Sequence, residues 1–188
     1  MNEIRDLLIG IDIGKEYTQI CYYDRKAEEA RSLSMKAGGN EYEAPTCLCR
    51  RPEQKDYCVG LEAQYFAREK GGIMISDIYG ISEKRDTVLV EGQDLAPWEL
   101  LAQFLKGMLK FLGITELVKN IKCVTVTLQE LTPVQVENFQ KAFADLGFVK
   151  EQYLLQDYGE SFYYYILSQR RETWNRSVAW YAFTPKSV

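Results

Sequence analysis

The residues best placed to do chemistry stand near the start of the chain. The apolar run Leu-Leu-Ile-Gly-Ile-Asp-Ile over residues 7–13 carries Asp12 near its end, and Gly14-Lys15-Glu16 follows. A carboxylate at a strand end beside a tight hairpin can orient a hydrated magnesium ion. Turn amides can approach a phosphate closely where a glycine leaves space. A strand that simply ends in a turn has the same Gly-x-Asp-x-Gly spelling, so its place in the fold must separate the two readings. A second carboxylate, Asp157, stands where a short strand meets a helix, and there it can cap the first turn. The chain has no histidine, which excludes histidine triads, histidine general bases and histidine metal ligands together. Its 5 cysteines are Cys21, Cys47, Cys49, Cys58 and Cys123. Cys47, Cys49 and Cys58 are close, but Cys-x-Cys with one later cysteine is not a standard zinc spacing. The odd number and the absence of a signal peptide predict reduced, structural thiols in a cytoplasmic compartment.

Periodicity supplies the elements that must position these groups. Residues 7–13 and 17–23 read as two strands joined by a tight turn, and residues 30–35 as a third, an antiparallel meander. Residues 36–92 are punctuated by Gly38-Gly39-Asn40, Pro45, Arg50-Arg51-Pro52 and Gly71-Gly72. Between these signals lie a strand candidate over 46–49, a helix over 61–70 and a strand over 87–90. Trp98, Leu101, Leu105, Met108 and Leu112 recur at helical spacing between Pro97 and a stop at Gly113. Residues 121–128 form a strand with Val124, Val126 and Leu128 on one side. Thr132, Pro133 and Gln135 spell a capped helix start, with Val136, Phe139, Phe143 and Leu146 as its inward stripe. A strand over 153–156 and a helix over 157–170 follow. Tyr158, Phe162 and Tyr165 share a face of that helix, and Tyr163-Tyr164-Tyr165 reads as packing. Residues 177–183 are one more strand candidate.

This order predicts an α/β fold: a ribonuclease H-like mixed sheet with flanking helices. The core subdomain is assigned to 1–35 plus 93–172, an inserted subdomain to 36–92, and the start of a second lobe or a tail to 173–188. With 188 residues, 46% of them hydrophobic and 27% charged, the chain is ordinary globular material with room for a core. No apolar run approaches a membrane span, and a net charge of −4 argues against nucleic acid or an acidic membrane surface as partner.

Leu8-Ile9-Gly10-Ile11-Asp12-Ile13-Gly14-Lys15-Glu16-Tyr17-Thr18 resembles the first phosphate motif of the actin-like ATPases. The closest flavour is the N-terminal lobe of the seventy-kilodalton heat-shock chaperones. Gly39-Asn40, Pro45-Thr46 and Val59-Gly60-Leu61-Glu62-Ala63 resemble stretches that follow that motif. Residues 124–147 resemble the strand and helix that begin with "TVPA", and Leu155-Gln156-Asp157-Tyr158-Gly159-Glu160-Ser161 resembles the "NEPTAAA" stretch. The resemblance implies Mg-ATP as a cofactor that folding does not require. It implies phosphate contacts from Gly10, Asp12, Gly14, Lys15 and Tyr17. Asp12 and Asp157 would reach the metal through water, and Asp157 would be the catalytic carboxylate. Lys84 is the nearest candidate for the chaperones' catalytic lysine. The family's cleft lies between two lobes, so the second lobe of a parent protein is the implied partner.

The motifs also depart from the family. Lys15 and Glu16 replace its small hydroxyl residues, and a glutamate repels phosphate, although Lys15 could offer a cation. In the second phosphate motif, Tyr181 stands where an aspartate belongs, no glycine follows, and Pro185 closes the stretch. The favoured expectation is therefore a degenerate lobe kept as a non-catalytic scaffold or interaction domain of a larger protein. The chain alone is not expected to be an enzyme. The alternative is the ATP- and Mg-binding half of a functional chaperone-like ATPase. Trp174, Trp180, Tyr181 and Phe183 could pack on a neighbouring lobe or pair two copies. A nuclease reading has little behind it, because only Asp12 is well placed among acidic residues.

Overall fold

Alternating isoleucines start the fold. In the computed structural model, which describes residues 6–25, 27–36, 39–52, 56–113 and 116–169, β1 (Leu7–Ile13) buries Ile9, Ile11 and Ile13 on one face. Leu8, Gly10 and Asp12 take the other face, as a period of two requires. β2 (Tyr17–Asp24) returns antiparallel, with Ile20 opposite Ile11. β3 (Glu29–Ser32) and β4 (Glu43–Pro45) pair with successive halves of β2. The third strand is shorter than the 30–35 expected. From Ser34 onward the chain turns on itself: the Ser34 hydroxyl donates to the Lys36 carbonyl, and Met35 N–H donates to Glu41.

The strand expected over 46–49 is in fact a corner between two sheets. β4 ends at Pro45, and β5 (Leu48–Arg50) begins a separate small sheet with β6 (Tyr57–Val59) and β7 (Ile73–Ile75). Thr46 N–H donates to the Glu16 carbonyl at 2.8 Å, and its hydroxyl meets that of Thr18 at 2.8 Å in a buried pair. The corner is thus tied to the first hairpin. Between β6 and β7 runs α1 (Gly60–Glu69), close to the helix predicted there. α2 (Ile78–Ser82) is capped by Asp77, whose side chain accepts from Gly80 N–H at 2.9 Å. β8 (Val88–Val90) and β9 (Gln93–Leu95) form a hairpin.

α3 (Pro97–Lys110) is buried along most of its length, at Leu100, Leu101, Phe104, Leu105, Met108 and Leu109 among others. A short α4 (Leu117–Asn120) leads into β10 (Ile121–Leu128), which pairs parallel with β1 and buries Val124, Val126 and Leu128 as its pattern predicts. α5 (Pro133–Asp145) begins with the predicted capping box: Thr132 accepts from Gln135 N–H, and the Gln135 side chain accepts from Thr132 N–H. β11 (Tyr153–Asp157) adds a second parallel strand beside β10, and α6 (Tyr158–Ser168) follows. The main sheet runs β11-β10-β1-β2-β3, with β4 also on β2. It is a mixed sheet with flanking helices, and one hydrophobic cluster joins its inner face to α3, α5 and the small sheet.

One packing expectation fails. No residue of α6 is buried. Phe162, Tyr163, Tyr164 and Tyr165 are 47–61% exposed. Among the described residues the main contacts of α6 are with β10 and β11, and Ser161 in its first turns makes the hydrogen bonds to them.

Candidate functional site

The strand register builds the site. Asp12 lies beside Thr127 of β10, and Thr127 lies beside Gln156 of β11. On its other side Asp12 is opposite Gln19 of β2. This polar row crosses the outer face of the sheet at the strand ends, where the chain turns away and side chains stay accessible. Ser161 of α6 anchors the helix over the row, meeting the Thr127 hydroxyl at 3.1 Å and Gln156 Oε1 at 3.2 Å. Asp157 takes the capping role, its carboxylate accepting from Glu160 N–H at 2.7 Å.

The next residue meets Asp12. The Tyr158 phenol hydrogen-bonds the Asp12 carboxylate. Its oxygen lies 4.0 Å from the point a Cβ on Gly14 would occupy. The phenol therefore stands in front of both Asp12 and Gly14, where the first-motif reading would put a phosphate and its metal. Burial pushes the Asp12 carboxyl above its ordinary value, and the Tyr158 hydrogen bond offsets only part of that. The Tyr158 phenol is pushed up to about 12, by burial first, then by its bond to Asp12 and the Asp12 charge. The pair is a neutral donor on a carboxylate.

The other predicted phosphate ligands are engaged elsewhere. Lys15 Nζ lies 5.7 Å from the centre of the Tyr79 ring, a cation–π contact. Tyr79 is buried, and its hydroxyl accepts from Glu130 N–H at 3.4 Å. A polar network from α5 holds α2 and hence this ring. Asn138 Nδ2 donates to the carbonyls of Ser82 at 2.9 Å and Lys84 at 2.8 Å. Gln135 Nε2 donates to the Ser82 hydroxyl at 3.1 Å. Gly14 N–H already donates to the Tyr17 carbonyl at 2.9 Å, and a Cβ there would lie 2.8 Å from that oxygen. Glycine at 14 is thus required by closure of the turn. A Cβ on Gly10 would lie 2.7 Å from Cys21 Sγ, so glycine at 10 makes room for that thiol. Tyr17 is half exposed and lines a groove beyond β2. Lys84 follows α2, held through its backbone.

Sequence reading put Asp12 near a strand end, as observed, but did not single out Tyr158 or Tyr79 as its neighbours at this end of the sheet. Tyr158 is adjacent to Asp157, so only the register of β11 against β10 and β1 reveals which of the two reaches Asp12. Tyr79 sits on a helix of 5 residues, too short to show a period. The cysteines behave as structural groups: Cys47, Cys49 and Cys58 are buried together, and burial pushes the Cys47 and Cys58 thiols up to about 11. Among the described residues no set of three cysteine or carboxylate groups could hold a metal ion. Trp174, Trp180, Tyr181, Phe183 and Pro185 lie outside the described residues, as does the expected strand at 177–183.

Asp12 is exposed with the Tyr158 phenol beside its carboxylate, the Gly14 amide is bonded within its own turn, and the Lys15 ammonium rests on the Tyr79 ring.

Known proteins give the fold a context. A family model described as "Family of unknown function (DUF5716) C-terminal" matches residues 29–188. The chain belongs to this family. No curated protein matches it. Among solved structures it is similar to a non-polymerising mutant of MamK bound to AMPPNP, with a TM-score of 0.52 and 12% identity. That match covers 81% of this chain and 41% of the MamK chain. At this identity the likeness concerns the fold alone. No helix of the described residues is long and apolar enough to cross a membrane.

Proposed function

We propose that the chain is a degenerate actin-like lobe, ribonuclease H-like in topology, that serves as a non-catalytic interaction scaffold within a longer protein. The observation that carries this reading is the Tyr158 phenol bonded to Asp12 in front of Gly14. A bulky side chain in that position competes with a phosphate for the same volume. Catalysis needs reacting groups held in a narrow geometry, with groups from a second lobe across the cleft. The exposed aromatic side of α6 fits a scaffold role, because large exposed apolar patches mark contact surfaces. A second lobe of the parent protein, or a second copy paired through the C-terminal segment, would suit it.

The second reading is the ATP- and Mg-binding half of an active, chaperone-like ATPase. It is favoured by the strand-end position of Asp12 and by the fold shared with a protein solved with AMPPNP. Calorimetric titration with Mg-ATP at millimolar nucleotide separates the two. The scaffold reading expects no saturable heat from the wild-type chain and none from Tyr158→Phe. Saturable binding that Asp12→Asn abolishes would replace it with the nucleotide-binding reading.

A further inference from the structure

Away from the Asp12 row, a groove of about 650 Å³ opens beside the far edge of the main sheet. Its walls include Tyr17 from β2, Tyr42 and Glu41 from the loop before β4, Glu43 from β4, and Leu61 from α1. The volume lies in the range of small-ligand sites. Tyr17 is 52% exposed and Tyr42 42% exposed, so both rings offer faces to an incoming group. Among the described residues no lysine or arginine lines the groove. Its charged side chains are Glu41 and Glu43, and among the described residues each is engaged through Oε1. Glu43 Oε1 accepts from Gln19 at 2.9 Å, and Glu41 Oε1 pairs with Lys36 at 3.1 Å. Lys36 is 65% exposed, and its pair with Glu41 is the kind of solvated contact another cation can displace.

Two tyrosine faces and two carboxylates select a cation. Arginine matches them better than lysine, because a planar guanidinium can stack on a ring while its fork meets a carboxylate. The groove also borders β3 and β4, and among the described residues no strand pairs with the outer edge of either. An unpaired edge accepts an extended chain, whose alternate side chains then point the same way. We propose that this groove binds arginine side chains of an extended segment in a partner protein. The assignment does not depend on whether the Asp12 site binds nucleotide.

Fluorescence polarisation at low ionic strength tests it, with a labelled Ser-Arg-Ser-Arg-Ser-Arg peptide and its lysine and glutamate counterparts as probes. The arginine peptide should bind, the lysine peptide more weakly, and the glutamate peptide not at all. Glu41→Gln with Glu43→Gln should weaken binding roughly tenfold, and Tyr42→Ala roughly threefold. Glu116→Gln with Glu137→Gln removes the same charge from a distant exposed surface and should leave binding unchanged. All these positions are exposed, and thermal melts would verify folding. Amide shifts on titration should centre on Gln19, Asn40 and Gln64, which also line the groove. The proposal is overturned if the arginine peptide does not bind, or if both glutamate pairs lower affinity equally. It is equally overturned if Tyr42→Ala has no effect or the shifts centre elsewhere.

Discussion

The two faces of the main sheet are built from the same strands and obey different rules. On the inner face Ile9, Ile11 and Ile13 meet Val124, Val126 and Leu128, all buried, and α3 and α5 close over them. On the outer face the alternate positions include Gly10, Asp12, Thr127 and Gln156, and Ser161 in the first turns of α6 hydrogen-bonds Thr127 and Gln156. The inner face is governed by apolar area removed from water, which is non-directional and tolerant of detail. The outer face is governed by a few directed contacts, each dependent on one named partner. The first face holds the fold together, and the second leaves its polar side chains accessible.

The largest expected effect sharpens this contrast. Phe143 is fully buried, stacked on Tyr153 at 4.5 Å and edge-on to Phe148 at 5.5 Å. Phe143→Ala should cost about 3–5 kcal/mol in urea unfolding, from lost burial and the cavity left behind. Tyr164→Ala, on the outer aromatic side and 53% exposed, should stay within about 0.5 kcal/mol. A comparable loss at Tyr164 would mean that α6 is covered by something else, and the contrast between the faces would fail.

The same physics explains what was legible beforehand. Apolar alternation in residues 7–13 and 121–128, the helical stripe of α3 and the Thr132 capping box are local patterns, and each appears close to where periodicity placed it. The corner at Thr46-Cys47 was not legible, because it depends on hydrogen bonds to Glu16 and Thr18 nearly 30 residues away in the chain. Tyr158, Phe162 and Tyr165 of α6 have the period of a buried stripe, and a period cannot say how deeply such a stripe is buried. Asp12 was visible as a carboxylate at a strand end. That Tyr158 stands beside it needed the register of three strands.

A middle-sized effect belongs to the polar network joining α5 to α2. Asn138 is 6% exposed and donates to two backbone carbonyls, those of Ser82 and Lys84. Asn138→Ala leaves both acceptors short of a donor in a site with little water, at a cost of about 1–3 kcal/mol. Loosening α2 should also loosen Tyr79, and with it the rest for Lys15. Hydrogen exchange should show faster opening at Ile81 and Glu83, whose amides bond within that helix. Unchanged exchange there would mean that α2 is held by its buried Ile78 and Ile81 alone.

The smallest effect probes the outer face directly and changes with pH. The Asp12 carboxyl titrates above its ordinary value of 3.8 because burial penalises its charge more than the Tyr158 hydroxyl supports it. A group whose value rises on folding holds its proton more tightly when folded. Its contribution to stability is therefore full below 3.8 and is lost as pH rises through the higher folded value. Asp12→Asn removes the charge and keeps a carbonyl for Tyr158 to donate to. The variant should be more stable than wild type at pH 7, by under about 1 kcal/mol because the side chain retains contact with water. That advantage should shrink as the pH is lowered toward 3.8, where the wild-type carboxyl takes up its own proton. Urea unfolding of both proteins across this interval would read the difference. A variant less stable than wild type at pH 7 would mean that the outer face supports the ionised carboxylate. Asp12 would then be prepared to hold a cation, and the closed Tyr158 arrangement would be one that a ligand can open.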